Sequence, residues 1–131
     1  MQWDAVAAGG VKRVLDLTRL RCVYDCTPLE RVQFELQDLA RDRFPDDEER
    51  EREKIRAAVD LITATRDALG GVVVHCEGGR GRTGTVVGAY LVTLGHAPWE
   101  VINWLNELHK ARGQSVWPES RWQSHLLEEF Q

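Results

Sequence analysis

The spacing of apolar residues along the chain predicts three strands and five helices. Val32, Phe34 and Leu36 alternate with polar residues, which is typical of a strand with one buried face. The β-branched run 72–74 is too short for a helix and predicts a buried strand. In chain order, the predicted elements are a helix over 3–8, strands over 11–17 and 31–37, a helix from after Pro45 to about Leu69, a strand over 72–74, and helices over 83–94, 98–111 and 118–130.

The segment that follows Pro45 is strongly charged, and its pattern predicts the exposed side of a long helix. Acidic residues are favoured at a helix N-terminus because they complement the helix dipole. Asp46 with Arg50, and Glu48 with Arg52, stand four residues apart, as ion pairs do on a helix surface. The whole run DDEEREREK is therefore interpreted as a solvated helix face rather than a binding surface.

Strands alternate with helices in the first two thirds of the chain, and helices follow one another after that. This order predicts an α/β fold with a small, mainly parallel sheet flanked by helices on both faces. Ligands of such sheets bind beyond the carboxyl ends of the strands. A length of 131 residues without internal repeats or linkers predicts one domain over 1–131.

Composition excludes several classes of function. The 17 basic and 21 acidic residues give a net charge of −4, which argues against binding to nucleic acid or to an anionic membrane surface. The sequence contains neither an apolar run of membrane-spanning length nor a signal-peptide pattern, so a soluble, cytoplasmic protein is expected. The three cysteines, at positions 22, 26 and 76, are an odd number, which favours a reducing compartment over a disulfide scaffold.

The glycine-rich turn VVVHCEGGRGRTG (72–84) carries most of the functional information, and two phosphate-binding patterns fit it poorly. Gly79, Gly81 and Gly84 have the spacing of a dinucleotide-binding turn, but the region about twenty residues on predicts helix and lacks the required acidic strand end. A Walker-type loop requires lysine where Thr85 stands. Neither pattern accounts for His75, Cys76 or Arg82.

A third interpretation uses all of these residues. A short turn from a strand end to a helix start can direct its N–H groups, together with the helix dipole, at one tetrahedral dianion. Cys76 at the mouth of that turn would be a thiolate nucleophile near neutral pH, and Arg82 would hold two phosphate oxygens. His75 would support the loop by hydrogen bonds, and Thr83 would donate its hydroxyl to the departing thiolate. The phosphate-binding residues would be Glu77, Gly78, Gly79, Arg80, Gly81 and Arg82, with the side chains of Glu77 and Arg80 pointing outward.

The stretch VVVHCEGGRGRTGT resembles the H-C-x5-R-[ST]-G signature of cysteine-dependent protein tyrosine phosphatases. The segments DLT (16–18), FELQDL (34–39), VVGAYLV (86–92) and SVWPESRWQSHLLEEF (115–130) extend this resemblance to small dual-specificity-like phosphatases. It implies a parallel sheet flanked by helices and hydrolysis of phosphomonoesters through a phosphocysteine intermediate on Cys76. It also implies that no metal or other cofactor takes part.

The departing alkoxide or phenoxide needs a proton, so a carboxylic acid on a neighbouring mobile loop is required. The resemblance implies that this acid is an aspartate upstream of the signature. Asp38 follows the predicted strand 31–37 and is preferred, because a strand end is fixed on a rigid scaffold. Asp42 is the alternative general acid, since its separation of 34 residues from Cys76 is closer to the spacing that the resemblance implies than the 38 residues of Asp38, and since it precedes a proline in DRFP, as in the family.

Several alternatives stay open at this point. The substrate would carry phosphotyrosine, with phosphoserine and phosphothreonine also admitted by the small size of the domain, while a phosphoinositide or a 5′-phosphorylated RNA would suit the same phosphate cradle. A binding module without turnover and a rhodanese-like sulfur transferase are rival functions. Cys22 and Cys26 are either redox partners of Cys76 or buried structural thiols. The scattered histidines at 96, 109 and 125 do not predict a zinc site, and the oligomeric state is left undetermined.

Overall fold

The computed structural model describes residues 2–19, 24–77 and 80–131. Its elements, in chain order, are α1 (Trp3–Ala8), β1 (Val11–Asp16), β2 (Glu30–Gln33), α2 (Glu48–Asp67), β3 (Gly71–His75), α3 (Gly81–Thr93), α4 (Pro98–Ala111), α5 (Arg121–Leu126) and a 3-10 helix (Leu127–Phe130). The predicted helices over 3–8 and 98–111 are confirmed at both ends. The other helices were predicted correctly in kind, with ends that differ by a few residues.

Capping explains two of these differences, the starts of α2 and α5. The Asp47 side chain accepts a hydrogen bond from the Arg50 N–H, so α2 begins two residues after Asp46. The last helix does not begin at Pro118 as predicted, because Ser120 and Gln123 form a capping box that fixes its start at Arg121. Such reciprocal hydrogen bonds satisfy backbone donors that would otherwise be unpaired at a helix end.

The sheet has three strands in the order β2-β1-β3, and both pairings are parallel. Leu15 and Leu17 point to one face, where they join a core built from α2, α3, α4 and α5. Val14 points to the other face and packs with Cys26 and Leu29 beneath Trp3 and Val6 of α1. The expected α/β fold, a small parallel sheet with helices on both faces, is therefore confirmed. No described helix combines the length and apolar composition that crossing a membrane requires.

The second strand is shorter than predicted. β2 ends at Gln33, although Leu36 is buried and the alternating pattern continues beyond it. The Phe34 N–H still donates to the Asp16 carbonyl (2.9 Å) and the Leu36 N–H to the Leu17 carbonyl (3.2 Å), so the chain follows the end of β1 without forming a regular ladder. Asp38 therefore lies in a loop and not at a rigid strand end, and that reason for preferring it was wrong.

The charged run of α2 is solvated in part. Arg52 lies 4.0 Å from Glu48, as the spacing predicted, whereas Asp46 precedes the helix. Glu51 differs from its neighbours, because it is only 6% exposed. It stands four residues before Ile55, on the same stripe as the other buried residues of α2. The interpretation of the whole run as a solvated face therefore missed one buried carboxylate.

Close packing between α3 and Trp117 fixes the start of that helix. The indole of Trp117 is fully buried, donates from Nε1 to the Gly81 carbonyl (3.3 Å) and lies against Gly84. A Cβ atom at Gly84 would stand 2.5 Å from Nε1 and 2.6 Å from Cδ1 of that ring. Only a glycine fits this position without displacing the indole.

We therefore expect Gly84→Ala to lower the free energy of unfolding by about 1–3 kcal/mol, because overpacking against a buried ring outweighs the better helix propensity of alanine. Urea denaturation measures this difference. Gly88→Ala is the matched control, since a Cβ there would meet the ends of leucine and valine side chains at 3.3–3.4 Å. A loss at Gly88 as large as that at Gly84 would contradict the explanation.

Candidate active site

Cys76 follows directly after β3, at the carboxyl end of the sheet, and α3 begins five residues later at Gly81. This is the strand-turn-helix unit that the sequence predicted. Cys76 is 9% exposed and lines a cleft of about 470 Å³, together with Asp38 and Arg82. The predicted phosphate-binding residues Gly78 and Gly79 lie outside the described residues.

The first turn of α3 supplies two polar groups to Cys76 and its cleft. The Thr83 hydroxyl donates a hydrogen bond to the Cys76 sulfur over 3.0 Å. The Arg82 side chain is 10% exposed, and its guanidinium lies 4.0 Å from the Glu77 carboxylate at the cleft edge. The N-terminal end of a helix carries partial positive charge, so the Arg82 guanidinium and the helix terminus together favour an anion next to the Cys76 sulfur.

The Arg80 side chain, which was expected to point outward from the turn, forms an ion pair with the segment that precedes α5. Its guanidinium lies 3.3 Å from a carboxylate oxygen of Glu119, and both side chains are largely shielded from solvent. The same carboxylate approaches the backbone of Gly81 so closely that a Cβ atom there would overlap it. Glu119, which sequence reasoning missed, therefore braces the turn from the segment that precedes α5.

The two candidate acids have different environments. Asp38 is exposed, accepts a hydrogen bond from the Ala40 N–H (3.1 Å) and lines the Cys76 cleft. Asp42 accepts hydrogen bonds from the Arg121 backbone N–H (2.9 Å) and guanidinium (3.0 Å), and these hydrogen bonds lower the pKa of its carboxyl. It is not among the lining residues of that cleft. Asp38 thus lines the same cleft as Cys76, whereas Asp42 binds Arg121 at the N-terminus of α5.

A buried carboxylate lies behind the turn. Asp16, at the end of β1, is fully buried and accepts hydrogen bonds from the backbone N–H and hydroxyl of Thr18 and two from the Arg31 guanidinium (2.7 and 3.2 Å). Burial alone would raise the pKa of the Asp16 carboxyl, but the bonds from Thr18 and Arg31 outweigh it and hold the pKa below its usual range. The carboxyl end of β1, the central strand, therefore carries a buried negative charge.

His75 connects this charge to the turn. Its Nε2 atom lies 2.8 Å from the Tyr24 hydroxyl and 3.9 Å from a carboxylate oxygen of Asp16. Tyr24 packs in turn against the Arg31 guanidinium, 5.1 Å from its ring centre, and stacks on Trp3. His75 was predicted to support the loop by hydrogen bonds, but its described side-chain contacts are with Tyr24 and Asp16, on the β1 side of the sheet.

The remaining cysteines and histidines do not form a second centre in the part of the chain that the structure describes. Cys26 is a buried free thiol that packs on the opposite face of the sheet from Cys76, and its sulfur lies 3.6 Å from the Leu29 carbonyl. Cys22, its predicted redox companion, lies outside the described residues. No group of three or more potential metal ligands occurs among the described residues.

Comparisons with known proteins agree with this arrangement. Residues 2–124 match the family model described as "PTP-SAK: Swiss Army Knife protein, DSP-PTPase phosphatase domain". No curated protein gives a significant match to the chain.

Solved structures share the fold. Human DUSP28 is 16% identical, with a TM-score of 0.74, over 98% of this chain and 82% of that one. Tk-PTP in its active form is 24% identical, with a TM-score of 0.70, over 98% of this chain and 83% of that one. A mouse dual specificity phosphatase complexed with zinc tungstate is 15% identical, with a TM-score of 0.73, over 99% of this chain and 75% of that one.

Proposed function

The chain belongs to the PTP-SAK family of DSP-PTPase phosphatase domains, and from this we infer that it hydrolyses phosphomonoesters through a covalent intermediate on Cys76. The observation that carries the proposal is one cleft lined by Cys76, Arg82 and Asp38, with the Thr83 hydroxyl hydrogen-bonded to the Cys76 sulfur at 3.0 Å. In this proposal Cys76 is the nucleophile, Arg82 binds the phosphoryl oxygens, Asp38 is the general acid, and Thr83 stabilises the departing thiolate.

In the first step, the Cys76 thiolate attacks phosphorus and forms an S–P bond while the ester P–O bond breaks. The leaving oxygen takes the proton of the Asp38 carboxyl, which becomes a carboxylate. Arg82 binds two equatorial oxygens with its planar fork, and N–H groups at the start of α3 stabilise the charge that develops there. Each of these groups interacts more strongly with the transition state than with the bound ester, and this difference lowers the barrier.

In the second step, water attacks phosphorus of the phosphocysteine, the S–P bond breaks and inorganic phosphate leaves. The Asp38 carboxylate accepts a proton from the attacking water and returns to its acid form. The Thr83 hydroxyl stabilises the departing thiolate by the hydrogen bond that already joins them. After the second step Asp38 is again protonated, Cys76 is again a thiolate, and the phosphoryl group has left as inorganic phosphate, so the cycle needs no external cofactor.

Phosphorylated protein side chains are the substrates that best suit this site. The Cys76 cleft adjoins a larger one of about 680 Å³ that Asp38, Glu77 and Arg82 also line. Charged residues of both signs line the larger cleft, including Glu35, Arg43, Asp47, Arg50 and Lys54. An open, mixed-charge groove suits a polypeptide beside the phosphate better than a uniformly anionic polymer, so we propose phosphotyrosine and, as in dual-specificity domains, phosphoserine and phosphothreonine as substrates.

Replacement of Asp38, the proposed general acid, tests this function. Asp38→Asn should lower kcat/KM by about 100-fold for phenyl phosphate but by less than about 10-fold for 4-nitrophenyl phosphate, because the less basic nitrophenolate needs little protonation. Steady-state hydrolysis of both esters measures the difference. An inactive wild-type chain would refute the phosphatase proposal and favour the binding module.

Asp42→Asn is the matched control. It removes a carboxylate that holds Arg121, so it should lower thermal stability slightly and leave the ratio of the two ester rates near that of the wild type. A leaving-group-dependent loss in Asp42→Asn, with none in Asp38→Asn, would transfer the role of the acid to Asp42.

A further inference from the structure

Glu51 is a buried carboxylate that the two-step reaction does not use. It lies on the buried stripe of α2 with Ile55, Ala58 and Ile62, yet its carboxylate reaches the wall of the larger cleft beside Asp38 and Arg82. Buried acidic side chains are rare unless they are paired or serve a function. Its position between the helix and the acid-bearing loop therefore requires an explanation.

The contacts of Glu51 are with the loop that carries the proposed acid. Its two carboxylate oxygens lie 3.3 and 3.2 Å from the backbone nitrogen of Gln37, which donates its N–H to them. The Gln37 side-chain oxygen also accepts a hydrogen bond from the Asp46 N–H (2.9 Å). Gln37, the residue directly before Asp38, is thus hydrogen-bonded to α2 through its backbone and to the segment just before α2 through its side chain.

Stability alone does not account for a charge at this position. Burial raises the pKa of the Glu51 carboxyl, while the hydrogen bond from Gln37 and the charges of Lys54 and Arg82 oppose that rise and Glu35 adds to it. The other charged residues that line the same cleft are Arg19, Asp38, Arg43, Asp46, Asp47, Arg50 and Glu77. A buried ion pair can often be replaced by apolar side chains of similar size without loss of stability, so a buried charge is weak evidence for a purely stabilising role.

We propose that Glu51 is a positioning residue for the general acid, which fixes the backbone at Gln37 and thereby holds the Asp38 carboxyl over the Cys76 cleft. The proposal rests on the proposed function, in which Asp38 protonates the leaving group. Because Asp38 is exposed and its described hydrogen bond is to Ala40 within its own loop, the placement of its carboxyl depends on how that loop is anchored. Displacement of a catalytic group by about 1 Å can cost 100-fold in rate.

The test uses two substitutions of Glu51 and one control. Glu51→Met keeps length and helix propensity but removes the acceptor, and should lower kcat/KM for phenyl phosphate by about 10- to 100-fold, against less than about threefold for 4-nitrophenyl phosphate. Glu51→Gln keeps an acceptor oxygen and should restore most of this loss. Glu53→Met, at an exposed position on the same helix, should match the wild type for both esters.

Two further measurements separate positioning from folding. Glu51→Met should stay folded with a melting temperature within several degrees of the wild type, because removing a buried charge offsets part of the cost of leaving the Gln37 N–H without its acceptor. Its Gln37 amide should exchange hydrogen faster in NMR spectra, unlike that of Glu53→Met. An active Glu51→Met with an unchanged ratio of ester rates, or with an unchanged Gln37 exchange rate, would overturn the positioning role alone. An inactive wild-type chain would instead overturn the proposed function and, with it, this role of Glu51.

Discussion

Cys76→Ser is expected to abolish phosphomonoester hydrolysis, with a loss in kcat on the order of 10⁴-fold or more. A serine hydroxyl is not ionised near neutral pH and is a far poorer nucleophile than a thiolate. The neighbouring groups cannot replace it, because Thr83 is placed to donate a hydrogen bond to residue 76 and not to attack phosphorus. Hydrolysis of 4-nitrophenyl phosphate, followed by absorbance, measures the loss.

The structure offers a matched control for this substitution. Cys26 is also a buried free thiol, but it packs on the opposite face of the sheet, so Cys26→Ser should retain hydrolysis near the wild-type rate. Mass spectrometry of an acid-quenched wild-type reaction should find phosphate on the peptide that contains Cys76, and this peptide should remain unmodified in Cys76→Ser. Residual turnover by Cys76→Ser near that of Cys26→Ser would exclude the covalent mechanism.

The part of the site that the sequence predicts is the part encoded in one stretch of chain. Cys76, Arg82 and Thr83 lie within a single strand-turn-helix unit, so their relative placement follows from local geometry and from residue spacing. The hydrogen bond from Thr83 to Cys76 was anticipated on this basis, and the structure contains it. Local spacing was sufficient because a helix start fixes side-chain directions within one turn.

The supports of the site depend on long-range contacts, which one sequence does not reveal. Glu119 reaches Arg80 across 39 positions, and Arg121 holds Asp42 across 79. Arg41 and Asp42 both adopt left-handed backbone conformations, with φ of 63° and 59°, which are uncommon for residues other than glycine. Tertiary contacts hold this loop in shape, so its composition alone could not separate Asp38 from Asp42.

The burial of Glu51 could have been predicted from the sequence, but the high charge of the surrounding run led to its interpretation as a solvated residue. Glu51 stands four residues before Ile55 and seven before Ala58, so it lies on the apolar stripe of α2 although most of its neighbours in the sequence are charged.

The ends of the helices and strands also differ in whether local sequence or distant contacts determine them. The ends of α4 follow from a local proline and glycine, whereas β2 ends where β1 no longer offers a regular ladder.

Arg82→Lys should lower kcat by about 100- to 1,000-fold, although the positive charge is retained. A guanidinium presents two parallel N–H donors to two phosphate oxygens, whereas an ammonium group is a single point charge on a flexible stem. Only 10% of the Arg82 side chain is exposed and it sits where α3 begins, so a shorter ammonium would not reach the same two oxygens. Because the clamp acts on the phosphoryl group, the loss should be similar for phenyl and 4-nitrophenyl phosphate, in contrast to Asp38→Asn.

Arg52→Lys is the control for this clamp. Arg52 is also held by a carboxylate, at 3.0 Å from Glu129, but it lines neither cleft, so its replacement should leave kcat within about twofold of the wild type. Inhibition by orthovanadate gives an independent measurement, since this oxyanion should bind Arg82→Lys at least about 10-fold more weakly and Arg52→Lys as tightly as the wild type. Equal vanadate affinity in both variants would mean that the Arg82 guanidinium does not hold the phosphoryl oxygens, and the start of α3 would then have to stabilise the transition state through its backbone N–H groups.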